Sequence, residues 1–267
     1  MPEELRRDFI LSGYRTCPFE SDWAAVARSL ARVHNETGNI ATHALHATLF
    51  TALFFADRAT AGPPNAFKCA FFAGAVAMGA ASAAYHLARA KSPAAYRCCY
   101  VADLAGVVLT IAGSFAWGLS LVFYCDRRAR NAYCAVSTSL CAALLAVAAV
   151  PRLRADWSLV LRSFVAVVAF APVPIAHGVL LGHFACERQP FFWGLAANIA
   201  MVALFGAGAA LLVSRWPERS WPGRFDYWLH SHQLWHACVT AATLVQYAGH
   251  ANAERRYARL GCAVTCS

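Results

Sequence analysis

The chain has 267 residues, of which 59% are hydrophobic and only 14% charged, with a mean hydropathy of +0.45 and a formal net charge of +9. A soluble domain of this size would not stay dispersed with so little charge, so the composition predicts a polytopic membrane protein. The positive balance does not point to nucleic acid, because the arginines are scattered through short loops between apolar runs and form no basic stripe with interleaved aromatics.

Residues 1–38 form a polar head with no apolar core of the kind a cleaved signal peptide carries. Within it Trp23, Val26, Leu30 and Val33 recur at helical spacing opposite Arg28 and Arg32, which predicts a short amphipathic helix on a membrane surface or an ordinary solvated one. Seven apolar segments follow, at about 39–56, 66–89, 98–124, 131–150, 158–182, 190–213 and 227–249, each near the roughly 20 residues that cross a bilayer. Charged, Pro- and Gly-bearing breaks separate them, and residues 250–267 form a short tail. The expected fold is all-α: one domain of seven transmembrane helices between a head and a tail.

With a cytoplasmic N-terminus, thirteen Lys and Arg lie on the inner side and nine on the outer side, so the positive-inside bias favours that orientation. A sequon, Asn35-Glu36-Thr37, precedes the first segment, and a glycan on it would reverse the assignment.

Eleven cysteines with no CxxC pair argue against a disulfide framework and against a cysteine-rich zinc module. Cys69, Cys98, Cys99, Cys125, Cys134, Cys141 and Cys238 read as small packing residues in or at the ends of apolar segments; Cys186, Cys262 and Cys266 stay open.

The chemistry-bearing stretch is RFDYWLHSHQLWHAC at 224–238. His232 and His236 stand four apart, which on a helix places both imidazoles on one face. A lone membrane imidazole is usually a hydrogen-bonded core residue. Here a third, His86, ends the second segment, with Ser82 four residues before it and Asp103 near the start of the third. The end of an even-numbered crossing and the start of an odd-numbered one share a side of the membrane, so these residues fall in one leaflet.

Three neutral imidazoles with an open position form a typical catalytic zinc shell, and the donor type favours Zn2+ over iron or copper. Asp103 reads as a base or support for a zinc-bound water, or as a helix-start cap; Ser82 reads as a hydrogen-bonding partner, or as a small packing residue. Asp226 follows Pro222-Gly223 and reads as the N-cap of the last helix. His43 and His46 read as structural hydrogen-bonders rather than ligands, and His177, His183 and His230 show no partner pattern.

The run HNETGNIATH (34–43), SAAYH (82–86), Asp103 within YVADLAG and PERSWPGRFDYWLHSHQLWH (217–236) together resemble the progestin and adipoQ receptor family, which includes the adiponectin receptors and haemolysin-III-like proteins. The resemblance covers the chain from about Ile10 to the end of the seventh segment. It implies seven helices with a cytoplasmic N-terminus, zinc on His86, His232 and His236, a water-contacting Asp103 and a supporting Ser82. The wider superfamily, with the alkaline ceramidases, shares the S-x3-H, Asp and H-x3-H pattern and implies hydrolysis of a lipid amide. Ala41 departs from the bulky aromatic common at that position.

Two functions follow as expectations. One is a zinc hydrolase acting within the membrane on ceramide or a related lipid amide. The other is a receptor or scaffold for a hormone, steroid or lipid, with structural zinc. Either would sit in the plasma membrane or in the Golgi and other endomembranes.

Overall fold

A computed structural model describes residues 5–15, 22–181 and 190–260. Cys186, Cys262, Cys266 and His183 lie outside the described residues. Where the chain breaks between apolar runs, short polar side chains become helix N-caps, because each offers an oxygen to an amide that the first turn leaves without a partner. Asp22 accepts from Ala25 and opens α1 (Trp23–Ser29). Asn65 Oδ1 accepts from Lys68 N at 2.9 Å at the start of α3 (Ala66–Ala88), and Ser92 Oγ from Ala95 N at 3.1 Å at the start of α4 (Pro93–Val122). Asp126 accepts from Arg128 and Ala129 before α5 (Arg127–Ala149), and Asp156 from Leu159 before α7 (Trp157–Phe170). The remaining helices are α2 (Thr37–Ala61), α6 (Pro151–Arg154), α8 (Pro172–Leu180), α9 (Pro190–Ser214) and α10 (Ser231–Leu260). Among the described residues all regular structure is helical.

Five stretches are long and apolar enough to cross a membrane: Ala66–Ala88, Pro93–Val122, Arg127–Ala149, Ser158–Leu180 and Gly194–Ser214. The protein is a multi-pass, all-helical membrane protein. α2 and α10 match these in length, but histidines, Asp57, Arg58 and a run of charges after Asn252 lower their apolar character. The fifth predicted segment is not continuous: Pro172, which has no amide to donate, divides it into α7 and α8. The last helix starts later than predicted, at Ser231, and runs on to Leu260.

The chain forms two compact units. The first comprises Met1–Leu49, Val76–Gly106 and Met201–Thr243. In it, Gly79 lets α3 lie against α2: a Cβ there would sit 2.7 Å from the Ala47 amide nitrogen and 2.9 Å from the His43 carbonyl oxygen. The head packs as part of this unit, with Leu5, Ile10 and Val26 buried and Asn35 N bonded to Gly13 O at 2.7 Å. Asn35 is 2% exposed, so the folded chain offers no room for a glycan on it.

The second unit comprises Phe50–Ala75, Val107–Ala200 and Leu244–Ser267. Its core holds Phe50, Phe71 and Trp117, and a second cluster of Val108, Cys141, Leu144 and Val167. A buried ammonium also belongs to it: Lys68 Nζ lies 2.5 Å from Asp57 Oδ2 and 2.9 Å from Glu254 Oε2. His177, which showed no partner in the sequence, meets Tyr133 Oη at 3.0 Å. Cys125 is disulfide-bonded, which corrects its reading as a small packing residue, whereas Cys69, Cys98, Cys99, Cys134, Cys141 and Cys238 are free thiols.

Candidate metal centre

Everything that the sequence marked as chemical lies in the first unit. α3 carries Ser82 and His86 one turn apart on one face, and α10 carries His232 and His236 in its first turns. α2 adds His43, which the sequence reading set aside as structural. His43, His86 and His236 are all buried and bring one ligand nitrogen each to within 4.8 Å of the others. The ring centroids of His43 and His236 are 3.9 Å apart. His232 joins the same cluster, its centroid 4.5 Å from that of His236 and 5.2 Å from that of His86, and the His86–His236 centroid distance is also 5.2 Å.

Two of these imidazoles have defined tautomers. His86 Nδ1 meets Glu36 Oε2 at 2.8 Å. A carboxylate only accepts, so the proton is on Nδ1 and the Nε2 lone pair is left for a ligand. His236 Nδ1 meets Thr42 Oγ1 at 3.0 Å, and that hydroxyl gives its single proton to Gly38 O at 2.8 Å or Asn39 O at 3.0 Å. Thr42 therefore accepts from His236 Nδ1, and His236 Nε2 is also left unprotonated. His43 Nδ1 is buried with no hydrogen-bond partner among the described residues. Four imidazoles, two with a freed Nε2 and one with an orphaned Nδ1, suit a borderline-soft divalent cation. Three imidazoles on one tetrahedral zinc, with Zn–N near 2.0–2.1 Å, have centroids about 5 Å apart, close to the spacing of His86, His232 and His236.

Ser82 and Asp103 lie in the same unit, Ser82 buried on α3 and Asp103 on α4. Among the described residues no hydrogen bond joins Asp103 to any of the four imidazoles. Asp226 does not cap the last helix. Its carboxylate accepts from Leu11 N at 3.0 Å and from Ser12 N and Oγ at 2.6 Å each, fastening the head. Glu218 takes the capping role, accepting from Ser231 N at 2.7 Å and from Ser231 Oγ. His230 bonds Gln233 Nε2 at 2.9 Å.

The residue that sequence reading missed is Glu36, seen there only as the middle of a sequon. It is 3% exposed and gathers Arg7 Nε at 2.9 Å, Arg89 Nη1 at 2.7 Å, Asn39 Nδ2 at 2.7 Å and His86 Nδ1. Burial alone would raise its pKa, but the Arg7 and Arg89 guanidiniums and the His86 hydrogen bond outweigh it and hold the carboxyl well below the usual carboxylate range. Arg15 closes the end of α3, donating to Leu87 O at 2.6 Å and His86 O at 2.9 Å. The one available signal was an acid directly before an apolar segment.

Fold and site define a multi-pass helical membrane protein with a histidine cluster buried among its helices. The haemolysin-III-related family profile matches residues 31–247, and the chain belongs to that family. It is 34% identical over 262 residues to the adiponectin receptor protein of Drosophila melanogaster, covering 93% of this chain and 57% of that protein. It is 31% identical over 274 residues to progestin and adipoQ receptor-like protein 1 of Caenorhabditis elegans, covering 97% of this chain and 60% of that one. To ADIPOR-like receptor IZH2 of Saccharomyces cerevisiae it is 27% identical over 271 residues, covering 94% and 81%. The chain thus spans less than two thirds of the length of the fly and worm relatives.

Proposed function

We propose that the chain crosses the membrane seven times, as α2, α3, α4, α5, α7 with α8, α9 and α10, with its N-terminus in the cytoplasm, and that it is a zinc-dependent hydrolase of a lipid amide such as ceramide. Orientation is supported by the Lys and Arg bias and by Cys125. That cysteine follows the third crossing, on the non-cytoplasmic side in this arrangement, where disulfides persist.

The observation that carries the chemistry is the buried imidazole cluster with two of its members held at Nδ1. In this reading His86, His232 and His236 hold the ion, and His43 lines the same cluster. Zinc supplies a Lewis acid for a carbonyl oxygen and makes water a competent nucleophile near neutral pH. The Asp103 carboxylate accepts the proton of the attacking water, with Ser82 assigned as its hydrogen-bonding support. Water adds to the amide carbonyl carbon, the C–N bond breaks, and the proton passes from Asp103 to the departing nitrogen, giving a fatty acid and a sphingoid amine. The helices exclude bulk water, which strengthens each of these polar contacts.

Purified protein given ceramide should release fatty acid, contain zinc, and lose both properties in His232→Ala. Asp103→Asn should keep the zinc and lose turnover by about 100-fold or more. Zinc without turnover in the wild type would sink the hydrolase reading. It would leave the alternative, a receptor or scaffold for a hormone, steroid or lipid in which the ion is structural, which the names of the fly, worm and yeast relatives favour.

A further inference from the structure

The loop between α9 and α10, residues 215–230, carries four exposed aromatics, Trp216, Trp221, Tyr227 and Trp228, yet it is firmly held. Glu218 is buried against Ser231, Asp226 is closed by Leu11 and Ser12, and Leu229 N is bonded to Gln233 Oε1 at 2.7 Å. Ser214 ends a membrane-spanning stretch, so the loop begins at headgroup depth. A band of interfacial aromatics explains single exposed rings. It does not explain why Trp216 and Trp221, with centroids 6.5 Å apart, and Trp221 and Phe225, at 6.2 Å, form the wall of a cleft.

That cleft, about 410 Å3 in volume, is lined by Trp216, Pro217, Trp221, Phe225, Leu229 and Leu234, with Arg224 as its one charged member. The volume falls within the roughly 300–1,000 Å3 of small-ligand sites. Among the described residues the Arg224 guanidinium has no ion-pair or hydrogen-bond partner, whereas Arg215 on the same loop lies 3.5 Å from Asp8 Oδ2. A preformed apolar cleft with an exposed guanidinium, uncompensated among the described residues and set beside the end of a crossing, matches a molecule with an aliphatic chain and an anionic head.

We propose that this cleft binds one anionic glycerophospholipid of the adjoining leaflet, its acyl chain against the tryptophans and its phosphate on Arg224. The guanidinium donates to two phosphate oxygens from one side, as arginine does with planar precision where lysine acts as a point charge.

The test uses full-length protein in phosphatidylcholine nanodiscs containing a minor fraction of phosphatidylserine brominated along its acyl chains, with tryptophan emission as the readout. Brominated phosphatidylserine should quench more strongly than the same fraction of brominated phosphatidylcholine, corresponding to a preference of about fivefold for the anionic lipid. Arg224→Gln should abolish the preference, while Arg219→Gln, an exposed arginine of the same loop outside the cleft, should keep it. Circular dichroism checks that each variant is folded. Equal quenching by the two lipids in the wild type, or a preference that survives Arg224→Gln, overturns the proposal and leaves an interfacial aromatic band.

Discussion

Glu36 Oε2 accepts the Nδ1 proton of His86 at 2.8 Å, and the same carboxylate binds Arg7 and Arg89. The acid that orients the His86 imidazole is thus also the anchor of the head.

Glu36→Ala therefore has two effects. Removing one partner of a buried ionic network leaves Arg7 and Arg89 without their counter-charge, at a cost of about 3–5 kcal/mol. On the proposed zinc site, freeing His86 Nδ1 should weaken zinc binding about 10- to 100-fold. Thermal unfolding reads the first and competition with a chromophoric chelator reads the second. Zinc affinity unchanged within error would remove Glu36 from the metal site.

In the proposed zinc site, His232 and His43 are the two candidates for the third ligand. Ring spacing and the H-x3-H register favour His232, whereas the convergence of ring nitrogens favours His43. The expected result is loss of bound zinc in His232→Ala and its retention in His43→Ala, measured by elemental analysis of the purified variants. The reverse pattern would exchange their roles.

Lys68 is 4% exposed and bridges Asp57 and Glu254. Lys68→Met strands two carboxylates and should destabilise by about 3–5 kcal/mol, seen as a lower unfolding midpoint. Adding Asp57→Leu should recover part of that loss, since apolar replacement of a whole buried pair is often neutral. A double variant less stable than the single would contradict this account.

His34 Nδ1 accepts from Glu36 N at 3.2 Å, a bond only the unprotonated ring can make. Burial, with help from Arg15 and against Glu36, lowers its pKa from 6.5 to about 4. The unfolded chain then takes up a proton near pH 6.5 and the folded one only near pH 4. This contribution to stability is therefore intact above pH 6.5 and is lost as the pH falls toward 4. His34→Asn keeps an acceptor but cannot titrate, so it should flatten the fall in unfolding midpoint across that window. A wild-type slope that persists in the variant would assign it to other groups.

Local features were legible in the sequence, and features made by distant partners were not. Asn65, Ser92, Asp126 and Asp156 act on amides two or three residues away, so the breaks between apolar runs mark the helix starts. The His-x3-His pair was legible for the same reason, since helical periodicity alone sets it. Glu36 was hidden because its arginine and histidine partners lie 29, 50 and 53 residues away. The approach of His43 to His86 was not legible, because it depends on Gly79 bringing two helices together, which no pattern within α2 records. Asp226 looked like a cap because it follows Pro-Gly, but a loop held by the head could use it differently.

The grip of Asp226 on Leu11 and Ser12 makes the head a reporter of the interior. Arg7 and Arg15 are potential tryptic sites whose side chains are already engaged, by Glu36 and by the end of α3, so a protease has to wait for local opening. Cleavage kinetics at these two arginines would accordingly track how tightly the histidine cluster is assembled, with no label placed anywhere near it.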